Sequence, residues 1–211
     1  MFFKGISSIS QQEAIDFILP KHYSGRIPSI SRAFGWFSNA GILEAVVTFG
    51  KPASHTLCDG VCGKEYSEKV YELNRLCRIE NSEVIMSQFV SKALKELSQK
   101  EWIIVSYADL AMNHHGYIYQ ATNFIYTGTT VERTDKYTEG NKHSRHYDKD
   151  DKSGLRKVRS PKHRYIYFTA KKKSIRKAQK KMLKYPVLDY PKGKNKNYKL
   201  GFVLKTKIIE T

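Results

Sequence analysis

Hydrophobic positions along the chain recur with two periods, one helical and one extended. Over QQEAIDFIL, Ala14, Ile15, Ile18 and Leu19 form an apolar face behind Ser10, a residue suited to cap a helix, and Pro20 stops the element. KHYSGRIPSI follows as a polar loop. SRAFGWF and ILEAVVTFG flank SNAG, where Asn39 and Gly41 supply turn chemistry, so the pattern predicts a β-hairpin. KPASHTLCDGVCGKEYSEK, rich in small and polar residues, reads as a loop, and Val70 to Ile79 as a strand. From about Val84 to Leu97, Ile85, Phe89, Ala93 and Leu97 are spaced by four and predict a helix. Trp102 to Tyr107 is a near-continuous apolar run, as in a strand covered on both faces. NHHGYIYQATNFIYTG adds a short helix and another strand. The order is helix, hairpin, strand, helix, strand, helix, strand, which predicts a mixed α/β sheet. Asp109 falls where the second strand of the strand–helix–strand unit ends, and such parallel strands leave a ligand crevice at their carboxyl ends.

After Gly128 this pattern gives way. TVERTDKYTEGNKHSRHYDKDDKSGLRKVRSPK is charged and nearly lacks aliphatic residues, and reads as loop or as a segment ordered on binding. HRYIYFTA reads as one more strand, and KKKSIRKAQKKMLK as a short basic helix ended by Pro186. DYPKGKNKNYKLGFVLKTK interleaves Lys with Tyr and Phe, and the chain has no internal repeat.

A length of 211 residues with 40% hydrophobic content fits one domain with an appendage. Residues 1–130 carry 12 Lys/Arg and 12 Asp/Glu, whereas residues 131–211 carry 25 and 8, so the net charge of +17 lies wholly in the second part. A neutral fold with a crevice, followed by a basic section, points to chemistry on nucleic acid, because Lys and Arg neutralise phosphates and release counterions. Tyr165, Tyr167, Tyr185, Tyr190 and Tyr198 stand among these charges, and aromatic platforms beside cations stack on unpaired bases. The plainer alternative is a solvated charged surface with ordinary core tyrosines. A membrane fits less well. No apolar run reaches the roughly 18 residues of a spanning helix, and the basic helix has few apolar residues to insert. MFFKGISSIS is too short in apolar residues for a signal peptide, and Cys58, Cys62 and Cys77 do not suggest a disulfide framework. The cytoplasm is the expected compartment.

Candidate chemistry starts with His22 and Tyr23. Histidine titrates near neutral pH and serves as general base or metal ligand, though a loop His bonded to backbone is the commoner case. Asp109, ending an apolar strand, is expected to be buried, which favours the protonated acid and suits acid–base work; its plainer role is to cap the following turn. His114 and His115 point different ways on any regular element. One of them with His22 and Asp109 would complete a two-His, one-carboxylate iron site. His55, Cys58 and Cys62 lack a fourth ligand at a zinc spacing, and Cys77 reads as a small core residue. The ENSE turn at residues 80–83 would direct backbone N–H groups at an anion such as a cofactor pyrophosphate, but it lacks the glycines of a nucleotide fingerprint.

ELNRL, the SYAD strand end, the HG-YIYQATN-FIYTG segment and the earlier K-HYSG, four motifs in the right order along the chain, together resemble the Mom family of phage DNA adenine-modification proteins. The likeness runs from about Ser10 to Phe168. It implies an N-acetyltransferase-like fold: a mixed, mostly antiparallel central sheet with a β-α-β crossover, flanking helices and a basic C-terminal extension. Residues 1–170 would form the catalytic domain, with 131–162 a basic insertion, and 171–211 a Lys-rich extension that contacts nucleic acid.

The implied activity converts the adenine N6 amino group in double-stranded DNA to a carbamoylmethylated form that blocks host restriction enzymes. His22, Tyr23 and Asp109 match the family's active-site residues, and His22 and Asp109 would be the metal-binding pair if iron takes part. The motifs place Asn74, Arg75, Ser106, Tyr107, His115, Tyr117, Tyr119 and Asn123 in the substrate or donor pocket. Arg145, Arg156, Lys157, Arg159, Lys162, Arg164, Lys171, Lys172, Lys173 and Arg176 would hold DNA. The fold suggests acetyl-CoA as donor, with another activated two-carbon or glycyl donor as the alternative, because the turn at 80–83 departs from a pyrophosphate loop. Rival readings are an acyl-CoA-dependent N-acetyltransferase acting on a protein or small amine, and a DNA-binding protein without enzymatic activity.

Overall fold

The structure is a computed structural model, which describes residues 5–138, 154–196, 199–202, 204–205 and 207–210. Ser10 starts α1 (Gln11–Ile18) through a capping box: the Glu13 N–H donates to Ser10 Oγ at 3.2 Å, and the Ser10 N–H donates to Glu13 Oε2 at 2.8 Å. The predicted hairpin is β2 (Arg32–Phe37) and β3 (Leu43–Gly50), with β1 (Gly5–Ser8) on its outer edge. β4 (Val70–Arg78), α3 (Met86–Glu96) and β5 (Ile103–Asp109) form the crossover unit, followed by α4 (Tyr117–Ala121) and β6 (Ile125–Thr129). On α3, Phe89, Val90, Ala93 and Leu94 are buried, whereas Ile85 stands before the helix and is exposed.

The sheet order is β1-β2-β3-β4-β5-β9-β6, with β9 at Lys162–Phe168, and every neighbouring pair is antiparallel except β4 and β5. This is the mixed, mostly antiparallel sheet with a β-α-β crossover that the family resemblance implied. One face carries α3 and α4 over Val47, Phe49, Leu73, Ile104 and Tyr165. The other carries α1 over Ala33, Val46 and Cys77, and a further cluster of Val70, Ile103, Val105, Ile166 and Phe168.

Two elements differ from the sequence reading, and a predicted strand takes a place in the sheet that no local pattern gave. The loop expected between β3 and β4 contains α2 (His55–Cys62) and a 3-10 turn at Lys64–Lys69. Ser54 caps α2 by accepting from the Leu57 N–H at 3.2 Å, and Cys58, Val61 and Cys62 are buried at helical spacing. Residues 131–162 are not simply loop. β7 (Arg133–Lys136) and β8 (Leu155–Arg159) pair, tied by Arg159 Nε to Asp135 Oδ2 at 2.7 Å and Arg156 Nε to Thr134 Oγ1 at 2.7 Å. β10 (Ile208–Glu210) adds to β8 and completes a second, three-stranded sheet. Residues 139–153, including Arg145, lie outside the described residues. Finally, β9 (Lys162–Phe168) inserts between β5 and β6, setting Lys162 opposite Asp109 and Arg164 opposite Tyr107. Among the described residues no helix is long and apolar enough to cross a membrane.

Two features position the site. β4 and β5 pair only from Val70/Ile103 to Leu73/Ser106, yet continue to Arg78 and Asp109, so the parallel strands part. At that place β4 carries one extra residue, Asn74, against β3, where Arg75 faces Thr48 and Leu73 faces Phe49. A bulge of this kind bends its strand. The Asn74 side chain accepts from Thr48 Oγ1 at 2.6 Å and donates to the Ser29 carbonyl at 2.7 Å, which anchors the loop after α1. That loop lies so close to β3 that a Cβ on Gly50 would sit 1.8 Å from Ser29 O. Gly50→Ala is therefore expected to cost about 1–3 kcal/mol by overpacking and to loosen the loop that carries His22; denaturant unfolding beside wild type checks this.

Candidate active site

The parting strands open a crevice of about 2450 Å³, walled by the 22–29 loop, β4, the end of β5, α4, β8 and the C-terminal segment. His22, Tyr23, Asn74, Arg75, Tyr107, Asp109, Tyr117 and Tyr119 all line it, as do Lys157, Arg159, Lys162 and Arg164.

His22 is half-buried and stacks on Tyr23 with ring centroids 4.4 Å apart; Tyr23 meets His114 edge-on at 6.0 Å. The Ser24 backbone N–H donates to His22 Nδ1 at 3.2 Å, so this nitrogen must be an acceptor. Burial, aided by Arg75, His114 and Lys162, pushes the imidazole down to about 3, so it is neutral near pH 7. A neutral ring accepting at Nδ1 carries its proton on Nε2. His22 thus presents a protonated Nε2 where the sequence suggested a base.

Asp109 is buried and committed on both oxygens. Oδ1 accepts from Ser160 Oγ at 2.5 Å and from the Ala111 N–H at 3.0 Å, while Oδ2 is paired with Lys162 Nζ. It caps the 3-10 turn Leu110–Met112, so the plainer role is realised inside the crevice. His22 and Asp109 line one cavity, but Lys162 occupies the carboxylate. Among the described residues no group of three His, Cys, Asp or Glu side chains is arranged to hold a metal ion.

The remaining pocket residues divide. Ser106 is fully buried, and its hydroxyl donates to the Leu73 carbonyl at 2.9 Å, closing the last rung of the β4–β5 ladder instead of facing ligand. His115 is turned away; its ring lies against Gly193 and 5.7 Å from that of His163, and its neighbour His114 lines the crevice. Asn123 is an exposed turn residue at φ 61°, a left-handed position Asn tolerates, outside the crevice. Tyr119 is held up to about 12 by burial, and Tyr107 is raised further, by burial and then by Glu72.

Glu72 is the residue sequence reasoning missed. It lines the crevice, and burial pushes its carboxyl up to about 6 against the pull of Arg75 and Lys162. The signal was a lone carboxylate alternating with apolar Val70 on a strand. The cysteines, by contrast, are inert: burial raises Cys62 to about 11 and Cys77 to about 12.

Of the expected phosphate contacts, Arg176 is occupied by the Ala170 and Lys171 carbonyls at 2.6 and 2.8 Å, and Arg164 lies 3.4 Å over the Tyr185 ring. Lys171, Lys172 and Lys173 are exposed on the approach to α5 (Lys173–Lys181). The C-terminal segment is strapped across α4: Asn113 Nδ2 donates to Lys194 O at 3.0 Å, the His115 N–H to Asn195 Oδ1 at 2.6 Å, and Tyr190 OH to Phe124 O at 2.7 Å.

A cofactor arm can lie between the parted strands, but the turn that would meet a pyrophosphate does not suit it. Glu80 and Glu83 flank that turn, Arg78 Nη1 is spent on the Ser82 and Val84 carbonyls, and the Val84 N–H is taken by Ser82 Oγ. The residues of this turn do not suit the diphosphate of coenzyme A.

The sequence profile described as the Mom protein family matches residues 5–192. The chain belongs to the Mom protein family. Membership of this family supports a role in DNA modification. Comparison with curated protein sequences finds no match. Solved structures similar in fold include an N-acetyltransferase from Staphylococcus aureus Mu50, 15% identical over 78% of this chain and 97% of that one, with a TM-score of 0.48. A putative acetyltransferase from Acinetobacter baylyi ADP1 is 10% identical over 77% and 91%, with a TM-score of 0.49. A putative acetyltransferase from Salmonella typhimurium, solved with acetyl-CoA, is 7% identical over 79% and 94%, with a TM-score of 0.48.

Lys162→Met would strand the buried Asp109 charge. The expected loss is roughly 1–3 kcal/mol, below that of a fully buried pair because solvent screens the part-exposed lysine. The double variant with Asp109→Asn should recover part of it, as read by thermal unfolding of all four proteins.

Proposed function

We propose that this protein modifies adenine in DNA, converting the N6 amino group to N6-carbamoylmethyladenine and so shielding the DNA from restriction enzymes. The observation that carries this reading is the meeting, in one crevice, of carboxylates and aromatic rings with the basic strand β8 and Lys162 and Arg164 of β9. The N6 lone pair is delocalised into the purine ring, so reaction needs a proton acceptor and an activated carbon donor. That amino group is inaccessible to a pocket while its base is stacked, so the base must be extruded. Tyr23, Tyr107 and Tyr117 are the crevice rings suited to stack on it. Lys157, Lys205 and Lys207 line the rim on the β8 side and supply positive charge for the backbone. An activated two-carbon or glycyl donor would occupy the space between the parted strands, with His22 Nε2–H positioned to donate to one of its polar atoms.

Nucleoside mass spectrometry on DNA from bacteria expressing this chain tests the reading, beside an Asp109→Asn control. A deoxyadenosine heavier by one carbamoylmethyl group, reduced or lost in the control, is the expected result. Unmodified DNA from cells holding folded protein would overturn it. Duplex binding should weaken with salt, and Lys157→Gln with Lys207→Gln should lower the log–log salt slope by about 1 for each cation removed. An unchanged slope would move the phosphate contacts elsewhere.

A further inference from the structure

On the sheet face away from α3, β4 presents Val70 and then Glu72, while β5 presents Ile103, Val105 and then Tyr107. An apolar face turns ionisable at the place where the strands part. Glu72 pairs with Val105, one rung before the ladder ends, so its side chain stands at the closed end of the crevice. Three titratable or charged groups face it, Arg75 on its own strand, Lys162 on β9 and the Tyr107 phenol on β5, and its charge also acts on the Tyr119 phenol of α4. Its carboxylate makes no hydrogen bond among the described residues, in contrast to Asp109, whose oxygens are taken by Ser160, Ala111 and Lys162.

We propose that Glu72 is the proton acceptor for the attacking amine, and that Asp109 is a positioning residue that holds Lys162 and the turn beneath the substrate. The proposal rests on the adenine-modification reading above. In the step, the N6 lone pair forms a bond to the electrophilic carbon of an activated two-carbon donor. The leaving group departs with the electrons of the bond that breaks, and the N6 proton passes to a Glu72 oxygen and then to water. Burial, which raises this carboxyl, makes it a stronger base than a free glutamate while leaving it mostly ionised at neutral pH.

The test compares wild type, Glu72→Gln and Glu72→Asp on duplex DNA in cell extract that supplies the donor, with adduct measured by mass spectrometry from about pH 5 to 8. Glu72→Gln should lose about 10²–10⁴-fold in rate, the span typical of general base catalysis. The wild-type rate should rise through about pH 6; that limb should vanish in Glu72→Gln and persist at lower rate in Glu72→Asp.

Stability gives a readout that a structural role would not produce. The folded state binds the Glu72 proton more tightly than the unfolded chain, so this residue erodes stability as pH rises from about 4.5 through 6. Glu72→Gln should therefore melt above wild type at pH 7 and level with it at pH 4. A wild type that forms no adenine adduct overturns both the reading and the proposal. A wild type that forms it, beside a Glu72→Gln protein within threefold of its rate, overturns the proposal alone. So does an inactive Glu72→Gln protein that melts below wild type at pH 7, or a Glu72→Asp protein without the pH limb.

Discussion

Everything at the crevice depends on two parallel strands that stop pairing halfway along. β4 and β5 are hydrogen-bonded for four rungs and then diverge, and the divergence has local causes. Asn74 adds a residue to β4 and is pinned on both sides of its amide, and the Ser106 hydroxyl satisfies the Leu73 carbonyl where the ladder ends. Backbone polar groups removed from a ladder are costly unless something else meets them. Beyond the last rung, the gap between β4 and β5 leaves room for an extended ligand.

The electrostatics follow a division between charges that are tied and charges that are left open. Asp109 sits between an ammonium and a hydroxyl and is saturated; Glu72 faces Arg75 and Lys162 but is bonded to neither. His22 is kept neutral by burial and by cationic neighbours, and a backbone N–H settles which nitrogen holds its proton. A site built this way presents a neutral imidazole, a carboxylate without a hydrogen bond and a cationic rim.

The elements legible in the sequence were those whose hydrophobic period matched a single environment. The capped α1, the hairpin, the β4–α3–β5 unit and the basic helix α5 all stand close to where the pattern put them. α2 was hidden because Thr56, Asp59 and Gly60 are weak helix formers, and its stability comes from burying Cys58, Val61 and Cys62. β7 and β8 were hidden because they are held by cross-strand charge and hydroxyl contacts instead of an alternating apolar face. The placement of β9 beside β5 is a long-range choice that no local pattern records, yet it delivers Lys162 to Asp109. Within the site, Tyr23, Arg75 and Tyr107 were legible from motifs; Glu72 was not, because a single carboxylate in a strand looks like a solvent-facing residue until its neighbours are known.

The bulge at Asn74 also changes how β4 should be read as a string of letters. Val70, Glu72 and Cys77 lie on one face of the sheet and Leu73 and Leu76 on the other, a sequence that alternates only if position 74 is skipped. The strand thus contains a silent letter. A lineage that dropped it would keep every other side chain on its present face but leave the buried Thr48 hydroxyl without the amide it donates to. The two parallel strands would then be free to zip together toward their ends. One codon separates a fold with a mouth from the same fold with its mouth closed.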